Sequence, residues 1–196
     1  MELASAHPIE YSPKPEQIMG DFYEKFFSDS GTKGVKRISL EQLRELKEKG
    51  ITIENFLDWL CQSKGLLLHG SIHEIAGEKL TSEQGKIFVS NRSAVAIMRS
   101  LYSNVGVNLQ YPYFVTKDSP LILKVHTPTN KKFIKKENGF VYLVNSAGFK
   151  NEPEGSWQFV KEADGVEFDM VIETETADFK YPVEFFDDLD TTENGE

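Results

Sequence analysis

His69, Gly70 and Ser71 follow directly on the apolar run Leu66–Leu68. Nowhere else does the chain set a titratable aromatic side chain where a small molecule can lie against bare backbone. A continuous run of leucines suits a buried strand. Gly70 removes a side chain so that a ligand can come close to the main chain, and Ser71 offers a hydroxyl that both donates and accepts. His69 would then stand at the C-terminal mouth of the strand. The plainer reading of these three residues is a histidine that closes a core strand before a turn.

Other chemistries are poorly provided for. His69 and His73 are four apart, but a strand ending at His69 prevents them from forming a helical metal pair, and the nearest acidic residue, Glu74, falls in the turn. No metal site is expected. The single cysteine, Cys61, excludes an internal disulfide and a cysteine-rich zinc site, and it lies on an apolar helix face that reads as core. There is no glycine-rich phosphate loop and no Gly-x-Ser-x-Gly elbow. A net charge of −9 disfavours nucleic acid as a general partner, because phosphate neutralisation needs a basic surface. The lysines at 131, 132, 135 and 136 read as a solvated hairpin or loop and keep a local basic patch open. No window is long and apolar enough for a membrane span, and the N-terminus shows no basic segment leading into an apolar run, so a cytoplasmic location is expected.

The elements that must hold His69 divide into a helical first third and a strand-rich remainder. At 196 residues with 39% hydrophobic content, the chain can bury a sizeable core. Residues 16–27 place Ile18, Met19, Phe22, Tyr23, Phe26 and Phe27 at helical spacing. A polar, glycine-containing linker is expected over 28–36. Ser39 and Gln42 fit a capping box for a helix with Leu40, Leu43 and Leu46 on its inner stripe, ending at Gly50. Thr52 caps a third helix that ends at Gly65. Beyond Ser71, strands are expected at 86–90, 121–125, 140–144, 157–160, 166–172 and 181–186, with Asn138-Gly139 as a turn signal. One helix, capped by Ser90 or Asn91, carries Ala94, Val95, Met98, Leu101 and Tyr102 on the face that packs on the sheet. This gives an α+β fold with a helical N-terminal subdomain at 1–64, a sheet domain at 65–186 and an acidic, disordered tail at 187–196.

Leu66–Ser71, read Leu-Leu-Leu-His-Gly-Ser, resembles the first NAD-binding motif of the ADP-ribosyltransferase superfamily, nearest its poly(ADP-ribose) polymerase branch. Lys86–Ala94 is similar to that family's second strand and following helix. The resemblance implies a split, mostly antiparallel sheet and NAD as substrate. It assigns the ribose and nicotinamide contacts to His69 and Gly70, with Ser71 in support. Phe88, in the region where the polymerase branch stacks a tyrosine on nicotinamide, keeps an aromatic face without a hydroxyl, and Met98 falls where a second tyrosine is expected.

The catalytic glutamate is missing from the place the resemblance gives it, which falls at Trp157 or Gln158. Gln158 can accept a hydrogen bond but carries no charge to stabilise a ribosyl cation, a loss of about 3 kcal/mol by analogy with other oriented electrostatic groups. A competing register uses Glu173-Thr174-Glu175, similar to the Glu-x-Glu pair of other transferases in the superfamily, which usually carry arginine where this chain has His69. Glu173 and Glu175 are expected to face solvent. Two functions follow. One is an NAD-dependent transferase that passes ADP-ribose to a protein acceptor, with Gln158 or Glu173 acting at the ribose. The other is a catalytically inactive binding or interaction module that holds NAD, ADP-ribose or a protein through the His69 cleft.

Overall fold

Three helices lead the chain to the strand that carries His69. The computed structural model describes residues 13–27, 34–82, 84–103, 109–110, 123–126 and 134–186. Helix α1 (Pro15–Phe27) opens on a proline, whose fixed φ and missing N–H cost nothing at a first helical position, and buries Met19 and Phe22. The segment expected to be linker up to residue 36 instead ends in a strand, β1 (Lys36–Ile38), which is too short to show a periodic signal. Helix α2 (Leu40–Glu48) starts on the capping box: Ser39 Oγ accepts from Gln42 N, and Gln42 Oε1 accepts from Ser39 N at 2.8 Å. Thr52 Oγ1 accepts from Asn55 N at 3.1 Å to start α3 (Ile53–Lys64), and Gly65 ends it.

The remainder runs β2 (Leu66–Ser71), β3 (Lys79–Thr81), β4 (Lys86–Ser90), α4 (Ser93–Leu101), β5 (Tyr102–Ser103), β6 (Leu109–Gln110), β7 (Leu123–His126) and β8 (Ile134–Lys135). There follow β9 (Asn138–Asn145), β10 (Lys150–Asn151), β11 (Gln158–Glu162), β12 (Gly165–Glu167), β13 (Met170–Glu175), a 3-10 turn at Thr176–Asp178 and β14 (Val183–Phe186). The main sheet has the order β1-β13-β9-β2-β4-β11-β10 and is antiparallel except for β1 beside β13. The chain is therefore α+β, with a large, mostly antiparallel sheet.

Each face of the sheet buries its own apolar cluster. Leu66, Leu68, Val141, Leu143, Met170 and Ile172 face the helices, so the N-terminal helices and the sheet share one core. Leu67, Ile87, Val89, Tyr142, Val144 and Val171 point the other way, against Leu80 of β3, Ile75 and Phe168. The alternation at 166–172 is not one strand. It breaks between β12 and β13, so Val166 and Phe168 serve the second cluster while Met170 and Ile172 serve the first. β14 pairs in parallel with β7, outside the main sheet, and Tyr102 leaves the helix to begin β5. Residues 131 and 132 and the acidic tail lie outside the described residues. Among those described, no helix is long and apolar enough to cross a membrane.

Asn138 and Gly139 form no turn; both belong to β9. A Cβ at Gly139 would stand 1.8 Å from Ser100 O, and one at Gly70 would stand 2.0 Å from Ala96 O. Two glycines on adjacent strands thus let α4 settle its main chain onto the sheet. The contact is closed by Ser100 Oγ, which lies 2.7 Å from the Thr174 hydroxyl and donates to Ile97 O at 2.6 Å, all of it buried. Because the obstacle is backbone rather than a mobile side chain, Gly139→Ala is expected to destabilise by about 3 kcal/mol or more. Urea unfolding checks this, and Gly20→Ala, whose Cβ would meet only the Trp59 ring at 3.9 Å, serves as the milder comparison.

Candidate functional site

β2 does not end at His69. It continues through Gly70 and Ser71, and the three residues pair with Tyr142, Val141 and Phe140 of β9. Alternation along the strand sends the His69 and Ser71 side chains to the Tyr142 face, where the His69 and Tyr142 ring centroids are 6.5 Å apart. Gly70 turns to the α4 face. The sequence leaves that side open to a ligand, but α4 fills it, so the missing side chain serves helix packing.

On its other edge β2 meets β4, and among the described residues the two are registered at Leu68↔Ser90 alone. Where that ladder stops, the His69 side chain crosses the opening, with Nδ1 2.9 Å from Phe88 O. A carbonyl oxygen only accepts, so Nδ1 carries the proton and Nε2 is left with its lone pair. Nε2 makes no hydrogen bond among the described residues. The residue as a whole is half-buried. Burial holds the imidazole below its ordinary pKa and the Arg99 charge acts in the same direction, against the opposing effect of the Phe88 bond. At neutral pH the site therefore presents a neutral acceptor beside an unladdered strand edge, suited to a hydroxyl or amide N–H.

The other expected site residues are placed differently. Ser71 Oγ donates to His73 O at 2.8 Å and accepts from His73 N at 3.2 Å, fixing its own turn. Phe88 contributes its carbonyl to His69, but the residue is 44% exposed and its ring lies on the opposite face, since Ile87 and Val89 beside it point into the second cluster. Gln158 opens β11 opposite Ser90 and donates from Nε2 to Glu152 O at 3.1 Å, within its own hairpin. Glu173 does not face solvent. It is half-buried and accepts from Leu40 N at 3.1 Å, a carboxylate at the positive end of α2. Glu175 accepts from Lys47 at 2.6 Å and closes the 3-10 turn with Asp178. β9, β2 and β4 separate β13 from β11, roughly 19 Å at ordinary strand spacing, so Gln158 and Glu173 cannot serve one reacting atom.

Sequence reasoning passed over Tyr142, Arg99 and Asp58. Tyr142 is fully buried and its hydroxyl accepts from Ile75 N at 2.6 Å, which pins the segment after Ser71 over the second cluster. Its signal was the alternation of β9, which pairs it with His69 only once the register is known. Cys61 packs against the first core as expected, and burial pushes its thiol up to about 12. Among the described residues, no group of three His, Cys, Asp or Glu side chains is placed to hold a metal. Two surface clefts, of about 340 and 370 Å³, lie away from His69. The first is lined by Lys79, Asn145 and Lys161, the second by Thr52, Ile53 and Lys180.

The depressed basicity of His69 sets a pH dependence. The unfolded chain binds the proton more readily, so stability is constant above the ordinary histidine value and falls as pH drops from about 6.5 toward the folded value. Urea titrations between pH 8 and about 5 should show this slope in the wild type and a shallower one in His69→Gln. Comparison of the chain with protein-family models, curated proteins and solved structures finds no match in any of the three.

Proposed function

We propose that the chain is a non-catalytic module of ADP-ribosyltransferase-like fold that holds NAD or ADP-ribose at the opening between β2 and β4. The supporting observation is how the two candidates for the charge-stabilising group are engaged. Gln158 is neutral and bonded within its hairpin, and the Glu173 carboxylate caps α2 on the far side of the sheet. A ribosyl cation needs a group whose interaction strengthens as positive charge develops, and neither residue is free to supply one beside His69. What remains is recognition. The Nε2 acceptor suits a ribose hydroxyl, and the β2 main chain beyond Leu68 offers groups that no ladder to β4 occupies.

Titration calorimetry with NAD and ADP-ribose, run beside an assay for nicotinamide release, tests the proposal. Binding without turnover is expected, weakened about tenfold by His69→Ala, the equivalent of one hydrogen bond. Robust nicotinamide release that Glu173→Gln abolishes would restore the transferase reading, with ADP-ribose passed to a protein acceptor. Absence of binding by both nucleotides would overturn the proposal.

A further inference from the structure

Helix α4 has no cap of its own. Arg92 occupies the N-cap position and offers no side-chain acceptor, although a helix start leaves several amides in need of one. The acceptor comes from another helix, where Asp58 Oδ1 of α3 takes the Ser93 N–H at 3.1 Å. A carboxylate there also opposes the positive end of the helix dipole. Asp58 is itself well fixed, because its neighbours Phe56, Leu57 and Leu60 anchor α3 in the core. The rest of the turn is held as well: Ser90 Oγ accepts from Arg92 N at 3.1 Å, and Asn91 N donates to Trp157 O at 3.3 Å. This turn follows Phe88, whose carbonyl fixes the His69 imidazole, and leads into the helix that covers Gly70.

We infer that Asp58 is a positioning residue for His69, fixing the start of α4 and thereby the Phe88 carbonyl that holds the imidazole in its Nδ1–H form. Its effect on affinity rests on the function proposed above, while its effect on the tautomer does not. The helical segment thus tunes the binding edge from a distance, through one carboxylate that never meets the ligand. Loss of that carboxylate slackens the start of α4 at the end of β4, where the ladder to β11 pairs Phe88 with Val160, and the Phe88 carbonyl shifts off Nδ1 often enough for the ring to populate both neutral tautomers.

The experiment is nitrogen-15 NMR of the His69 ring together with ADP-ribose titration, on the wild type, Asp58→Ala and Asp58→Asn. The wild type should show a single Nδ1–H tautomer. Asp58→Ala should show a mixture and bind ADP-ribose about tenfold more weakly. Asp58→Asn keeps an acceptor oxygen for Ser93 N and should restore the single tautomer and most of the affinity, while a purely structural loss in Asp58→Ala would lower stability and leave the tautomer unchanged. Should Asp58→Ala fail to fold, Asp58→Glu, which keeps the charge but displaces the carboxylate, replaces it in the comparison. An unchanged His69 pattern in a folded Asp58→Ala or Asp58→Glu overturns the inference, whatever happens to thermal stability. If no form binds ADP-ribose, the proposed function falls, and the ring pattern still decides the role of Asp58.

Discussion

The main chain of α4 lies so close to the sheet that the carbonyls of Ala96 and Ser100 take up the space that side chains at 70 and 139 would need. That approach organises the rest of the molecule. It brings the Ser100 hydroxyl to Thr174 of β13, ties three adjacent strands to one short helix, and leaves β4 to depart from β2 after a single matched pair. Two polar groups buried beside backbone would be costly without partners, and here each satisfies the other. The helix can be this short, and lack a side-chain cap of its own, because packing rather than propensity holds it.

The same contact changes the meaning of the His-Gly-Ser motif. A glycine after an apolar strand signals close approach, and the sequence alone does not say what approaches. The structure supplies an internal partner, α4, so Gly70 is explained before any ligand is invoked. His69 differs. Its proton is committed to Phe88 O, its second nitrogen makes no hydrogen bond among the described residues, and burial lowers its basicity. A satisfied core histidine accounts for the first nitrogen and leaves the second unexplained.

The helices were legible because their signals are local. Ser39 with Gln42, Thr52 with Asn55, and Gly65 fix three boundaries without tertiary contacts. The strand-rich half was less legible, since its decisive facts are non-local. β1 has three residues and makes sense only beside β13. The run 166–172 shows regular alternation, yet the chain changes faces at Phe168–Asp169, which no periodicity reveals. Asn138-Gly139 has the composition of a turn and lies in a strand because Ser100 sits over it. Glu173 and Glu175 look like solvated ends of an alternating strand, and become caps once α2 and the 3-10 turn pack against them. The Phe88 carbonyl meets the His69 ring, but the two side chains lie on opposite faces, a distinction that rests on the register between two strands.

On the function proposed above, ADP-ribose meets His69 Nε2 at the opening between β2 and β4, with α4 undisturbed over Gly70. A crystal structure with ADP-ribose bound tests it most directly. The account predicts a ribose hydroxyl within hydrogen-bonding distance of Nε2, the Nδ1 bond to Phe88 O intact, and α4 in its present contact with Gly70 and Gly139. Density for the nucleotide against Gly70 with α4 displaced, or in either surface cleft away from His69, would contradict it.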